Sequence, residues 1–346
     1  RESIGEMVMG LKDIGEFGFI ERISPECLLD GKRVFKAIGD DAAAFWVDPT
    51  SLSLVTTDML VERVHFQRSD IRGFDLGHKA LAVNLSDIAA MGGTAREAFV
   101  SIAIPEDCSL EYLDEVYRGM RRLAARFEVN ILGGDTTASK QDLIINVALS
   151  GAVPPEEILC RDGARPGDCL CSTGCLGNSR AGLYMILHSI PRETPELKTL
   201  AQAHMLPWPR LREGRFLASQ GGVTAALDIS DGLSSDLHHL IASSRVGARL
   251  EAARLPISGE LEVFGSRFGF DPREFALAGG EDYELLFTVR PDQVDRLSRA
   301  YQEAFGAPFR VFGEITESGE MELVTASRVV PLVPSGWNHF QSKGRV

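Results

Sequence analysis

The sequence predicts an α/β protein built as two domains, and three observations carry that expectation. A chain of 346 residues is long for one hydrophobic core. Runs rich in β-branched and apolar residues alternate with segments of helical period. Finally, Pro154-Pro155 follows an apolar run and breaks the alternation, which puts the boundary after residue 153 and divides the chain into 1–153 and 154–346. The 44% hydrophobic and 25% charged content is that of an ordinary globular protein.

The first domain opens with a helical stretch over residues 1–30, punctuated by Ser24-Pro25-Glu26. Strands follow at 34–38 and 42–47, joined by the turn Gly39-Asp40-Asp41. A third strand, 52–57, delivers Asp58 at its end. His65 lies between Val64 and Phe66, where a lone histidine is either structural or a ligand contact. From 75 to 91 the apolar residues Leu76, Ala80, Val83, Ile88 and Met91 fall at helical spacing, and Gly92-Gly93 ends the helix. Asn84 and Asp87 share one face of it, which is either a solvated stripe or polar groups buried for a site. A strand at 98–104 leads to a helix at 109–128 with Ser109 as its N-cap. The strand 129–132 then runs into Gly133-Gly134-Asp135-Thr136-Thr137, read as a turn whose backbone approaches a phosphate. A strand at 143–153 closes the domain.

The second domain begins with a basic turn in which Arg161 is a candidate phosphate clamp. A strand at 169–173 passes through the glycine-rich 174–179 into a helix at 180–189, a junction suited to an anion. It matches neither GxGxxG nor the P-loop, and nothing else in the chain does. Residues 190–225 read as irregular to helical, with the proline-punctuated part as a candidate lid. A strand at 225–229 carries Asp228, and Ser230 caps a helix from 231 to 241 that begins with Asp231. An acidic loop around Glu281 precedes a strand, another strand spans 309–315, and Gly336-Trp337-Asn338-His339-Phe340 closes the pattern.

Asp41, Asp58, Asp87, Asp135, Asp228 and Asp231 each stand within two residues of a glycine, a hydroxyl or another aspartate. One such match is an ordinary turn. Repeated through one chain, they point to carboxylates converging on hard divalent cations, which take oxygen ligands and share them with phosphates. The formal charge of −13 leaves no basic excess for nucleic acid or an anionic membrane, while an anionic nucleotide remains admissible through metal ions. No apolar run approaches the roughly 20 residues that span a bilayer, and residues 1–10 show no signal peptide. The six cysteines lack disulfide-framework spacing and contain no CxxC pair, which favours a reducing cytoplasm over a zinc site.

Taken in order, Gly-Glu-Phe near the start, Ile38 to Ala42, Thr56-Thr57-Asp58, the run Lys79 to Gly92, Gly133 to Thr137, Asp228 to Leu233, Gly280 to Leu285 and Gly336 to Phe340 resemble the thiamine-monophosphate kinase family. That family sits in the ATP-binding superfamily of aminoimidazole ribonucleotide synthetase and selenophosphate synthetase. The resemblance covers nearly the whole chain. It implies a two-domain aminoimidazole-ribonucleotide-synthetase-like α/β (α+β) fold, a homodimer whose N-terminal sheets pair into a barrel-like interface, and ATP with several Mg²⁺ ions in the interdomain cleft. It implies that Asp41, Thr56, Thr57, Asp58, Asp87, Asp135, Asp228 and Asp231 hold metal, with Asp41, Asp58, Asp87 and Asp231 nearest the chemistry. Tyr117, Gly134, Asp135, Arg161 and Ser230 would meet ATP. His65, Glu281 and Trp337 would meet thiamine monophosphate. The alternatives are another ATP-dependent synthetase of the superfamily and a non-catalytic nucleotide sensor. Residues 1–20 hold no cysteine of the selenophosphate-synthetase kind, and no expected aspartate is missing.

Overall fold

The computed structural model describes residues 11–337. Residues 1–10, expected to be helical, and Asn338-His339-Phe340 of the closing motif lie outside the described residues. Helix α1 (Leu11–Ile23) comes first and is bent where Gly15 leaves helical geometry at φ 67°.

The first sheet contains β1 (Val34–Lys36), β2 (Ala43–Asp48), β3 (Ser51–Val61), β4 (Thr94–Pro105), β5 (Asn130–Ser139) and β6 (Ile144–Val153). Its strand order is β1-β2-β3-β6-β4-β5. All its pairings are antiparallel except β4 with β5. Leu52, Leu54 and Leu60 alternate with exposed residues along β3, so one face is buried. That face meets α2 (Gly73–Ala90), which in turn packs on α3 (Leu110–Phe127). The two helices touch backbone to backbone: a Cβ on Gly77 would lie 1.8 Å from the Val116 carbonyl oxygen, and one on Gly119 would lie 1.9 Å from that of Phe74.

The second sheet contains β7 (Cys169–Ser172), β8 (Val223–Asp228), β9 (Gly247–Glu251), β10 (Leu285–Val289), β11 (Arg310–Thr316), β12 (Met321–Val324) and β13 (Val329–Pro331). Its order is β13-β12-β9-β11-β7-β10-β8, with only β9 and β12 parallel. The flanking helices are α4 (Asn178–Leu187), α5 (Pro195–Met205), α6 (Leu211–Gln220), α7 (Leu233–Ser244), α8 (Gly259–Phe268), α9 (Pro272–Ala278) and α10 (Val294–Phe305). β10 is buried on both faces. Leu285, Phe287 and Val289 join the core that continues through α2 and α6 into the first sheet, while Leu286 joins a second core under α7. The protein is thus a two-domain α/β structure of two mixed sheets whose hydrophobic cores meet at α2.

Several sequence expectations are corrected. β3 continues to Val61, so Asp58 lies within the strand rather than at its end. β5 runs straight through Gly133 to Thr137, so that segment is edge strand and not a phosphate turn. The glycine at 134 has a packing cause instead: its Cβ would fall 1.7 Å from the Val100 carbonyl oxygen. Residues 190–225, read as irregular to helical, are a mixture of that kind, with helices at Pro195–Met205 and Leu211–Gln220. Helix α7 starts at Leu233, and Ser230 does not cap it. Among the described residues no helix is long and apolar enough to cross a membrane.

Candidate active site

A cleft of about 1570 Å³ lies between the two sheets, walled by β3, α2, the loop after β8, the Gly280–Glu281 loop and α1. Ligand pockets usually fall between roughly 300 and 1,000 Å³, so this one has room for two ligands side by side.

Carboxylates from both domains converge on its floor. Asp41 comes from the β1–β2 turn, Asp87 from the last turns of α2 and Asp228 from the end of β8. Oxygen atoms of these three lie within 4.8 Å of one another. Thr56 donates its hydroxyl to Asp87 Oδ2. Ser86 donates to Asp228 Oδ2 at 2.6 Å. The amide of Asp58 donates to Asn84 Oδ1 at 3.1 Å, which accounts for the buried polar face of α2. Arg161 Nη2 pairs with Asp41 Oδ1 at 2.6 Å, while Asp41 Oδ2 is buried without a partner.

The electrostatics of this cluster are unfavourable as the chain alone arranges it. Burial, then Asp41, pushes Asp228 up to about 8. Burial and the same neighbour push Asp58 up to about 6, and burial, Asp58 and Asp228 push Asp87 well above the carboxylate range. Asp231, on the turn before α7, is raised to about 7 by burial and Glu16. Anions crowded out of water resist ionising together. A cation removes the conflict, and an oxygen-only donor set with an orphaned buried carboxylate oxygen suits Mg²⁺.

The turn holding Asp231 is shaped by Asp236, whose Oδ2 accepts from the amides of Asp231 at 3.1 Å and Gly232 at 2.9 Å. Ser230 borders the cleft, and its carbonyl accepts from the Glu281 amide at 2.7 Å. The Trp337 amide donates to the Asp231 carbonyl at 3.0 Å, leaving the indole partly exposed along the cleft wall. His65 Nδ1 accepts from the Val61 amide at 2.9 Å, and its ring also lines the cleft.

The structure thus gathers Asp41, Thr56, Asp58, Asp87, Arg161, Asp228, Ser230, Asp231, His65, Glu281 and Trp337 around one space. Thr57 borders it too, but its hydroxyl accepts from Asn146 Nδ2 at 2.9 Å and its side chain is exposed. Asp135, Gly134 and Tyr117 are not brought there. Across the sheet, Asp58 pairs with Val147, Val147 with Val100, and Val100 with Gly134. Three strand spacings put Gly134 about 14 Å from Asp58. The glycine-rich start of α4 is also spoken for: Asp282 accepts from the amides of Gly177 at 2.6 Å and Ser179 at 3.1 Å, so a side chain fills the anion position.

Sequence reasoning missed Lys79, His204 and Asp236. Lys79 carried a readable signal, since it falls on the apolar face of α2 where a buried ammonium needs a partner. His204 and Asp236 carried none, because their contacts come from other segments or from the turn geometry.

A buried carboxylate cluster between two mixed-sheet domains is the site of a protein of the class described as AIR synthase related. The N-terminal domain of that class matches residues 39–153 and its C-terminal domain matches residues 165–326. The chain is 37% identical over 334 residues to the thiamine-monophosphate kinase of Aquifex aeolicus (strain VF5), covering 96% of this chain and 100% of the relative. It is 33% identical over 330 residues to that of Bacillus subtilis (strain 168), covering 94% and 99%. A solved structure described as AaThiL complexed with AMPPCP and TMP superposes with TM-score 0.83 at 34% identity, over 97% of this chain and all of that one. The chain belongs to the thiamine-monophosphate kinase family.

Proposed function

We propose that the protein transfers the γ-phosphoryl group of ATP directly to thiamine monophosphate, giving thiamine diphosphate and ADP. Family membership supports the activity, and the observation that carries the chemistry is the convergence of Asp41, Asp87 and Asp228 around a buried, unpaired carboxylate oxygen. The nucleophile is a phosphate oxygen, and a phosphomonoester with second pKa near 6 is already ionised at neutral pH. No general base is required. The task is to hold two anions in line and offset their repulsion. Asp41, Asp58, Asp87, Asp228 and Asp231, with Thr56, would hold Mg²⁺, which when bound neutralises phosphate charge and orients the reacting groups. Arg161, fixed on Asp41, keeps a guanidinium beside the phosphates. Ser230 flanks the nucleotide, while His65, Glu281 and Trp337 form the end of the cleft where the thiamine rings lie.

In this reading residues 1–153 bind ATP and metal and form the dimer, residues 154–346 complete the site, and the enzyme works in the cytoplasm. The outer face of the first sheet supports a homodimer of barrel-like paired sheets: Val55, Met59, Phe99 and Leu132 stand exposed on it. Large apolar side chains left exposed together on one sheet face mark a surface for a protein partner. Gly134 and Asp135, three strands from Asp58, and Tyr117, which does not line the cleft, would then serve the nucleotide site of the partner subunit.

The test is product identification by mass after incubation with ATP, Mg²⁺ and thiamine monophosphate, with thiamine as a parallel acceptor. Thiamine diphosphate formed from the monophosphate is expected. ATP binding without turnover of either acceptor would favour the sensor alternative.

A further inference from the structure

Glu281 lines the cleft with a left-handed backbone, φ 61°. A non-glycine residue stays there only where its surroundings hold it. Its carboxylate is gripped from behind by two side chains from different elements. Lys79 Nζ, on α2, lies 2.7 Å from Oε1, and His204 Nδ1, on α5, lies 3.3 Å from Oε2. Ser179 Oγ, at the start of α4, meets the same histidine nitrogen at 3.1 Å and fixes the ring. The side chains of Lys79 and His204 are 1% and 8% exposed, whereas that of Glu281 keeps 25%. Lys79 is therefore inside the wall, His204 reaches the cleft only at its edge, and the carboxylate is the most exposed of the three.

The arrangement leaves the carboxylate with acceptor capacity to spare. A carboxylate offers about four lone-pair sites, and the two partners use one on each oxygen. Burial raises the acid, but the Lys79 ammonium outweighs it and holds Glu281 below the ordinary carboxylate range. Burial and Lys79 together push His204 down to about 3, so the ring is a neutral, fixed neighbour at physiological pH. Neither residue touches the Asp41–Asp87–Asp228 cluster, so the trio does not serve the phosphates.

We propose that Lys79 and His204 are positioning residues for acceptor selection, holding Glu281 as a fixed hydrogen-bond acceptor for the amino group on the acceptor's ring system. The inference rests on the kinase reading above and goes beyond it by saying what makes the ring end of the cleft selective. Because Lys79 belongs to α2 and Glu281 to the second domain, the same contact sets the ring pocket only when the two domains are correctly apposed.

The experiment compares thiamine monophosphate with its analogue in which the pyrimidine amino group is replaced by a carbonyl oxygen, turning the donor into an acceptor. Wild type is expected to prefer the amino substrate by at least about tenfold in kcat/KM, the value of one hydrogen bond to a charged group. Lys79→Met is expected to raise KM for thiamine monophosphate about tenfold, to leave kcat and the KM for ATP within twofold, and to erase the preference. An unchanged preference, or a parallel loss in both KM values and kcat, would overturn the proposal. If Lys79→Met does not fold by circular dichroism, His204→Leu carries the same expectation, with His204→Asn restoring selectivity because it keeps an N–H donor. A wild type that forms no thiamine diphosphate overturns the kinase reading and this inference together, whereas a failure of the inference alone leaves wild-type turnover intact.

Discussion

Asp228 is 3% exposed at the end of β8, with Asp41 and Asp87 as close neighbours. Its acid is raised from 3.8 to about 8, that of Asp231 to about 7 and that of Asp58 to about 6. Between these values and the unfolded one, the metal-free folded protein holds more protons than the unfolded chain. Stability must therefore fall as pH rises through that window. In chelator, the melting temperature is expected to drop between about pH 5 and pH 8, and Mg²⁺ is expected to raise it more at the upper end, because only the ionised cluster binds the cation. A melting temperature indifferent to Mg²⁺ at both ends would remove the metal role from these residues. The aspartates themselves were legible in the sequence, since each sits within two residues of a glycine, hydroxyl or second acid. Lys79 was legible only as a buried ammonium in need of a partner, and His204 not at all: their common partner, Glu281, is remote in the chain, and only the fold makes the three neighbours.

Helix α2 carries more of the site than any other element. It supplies Asp87, Asn84, Ser86 and Lys79, and its depth depends on Gly77 and Gly119, whose missing side chains let α2 and α3 meet backbone to backbone. Gly119→Ala is expected to destabilise the protein by about 2 kcal/mol or more, through overpacking that no rotamer relieves, and to raise the KM for both substrates as α2 shifts. Urea denaturation and steady-state kinetics on one preparation would check both, and a neutral effect would show that the helices have slack. The helical period and the closing Gly92-Gly93 made α2 readable from sequence, and its polar face has the site as its reason. β5 was misread because a glycine pair signals a turn locally. The cause of Gly134 is a neighbouring strand's carbonyl, which no local pattern reports.

For the whole molecule, the two-domain organisation was visible in length and in the alternation of strands and helices, but the continuity of the core across both sheets was not. Residues such as Phe287 and Met205 share one cluster with Leu54 and Met91 only because α2 and α6 bridge the sheets. The exposed face of the first sheet makes a prediction about assembly. Sedimentation should give a species of twice the 37.7 kDa chain, and Phe99→Asp should yield monomer by placing a charge on the apolar face. If that monomer retains full turnover, Tyr117, Gly134 and Asp135 do not serve a partner's nucleotide. In the proposed reaction the carboxylate cluster would hold the Mg²⁺ on which phosphoryl transfer to thiamine monophosphate depends. The most direct measurement is thiamine diphosphate formation as a function of Mg²⁺ for wild type beside Asp41→Asn. Wild type is expected to give saturable Mg²⁺-dependent product and none in chelator, and the variant to lose about 100-fold or more, the scale set by removing one electrostatic element of a transition-state site. Turnover that survives chelation, or an Asp41→Asn enzyme as fast as wild type, would contradict it.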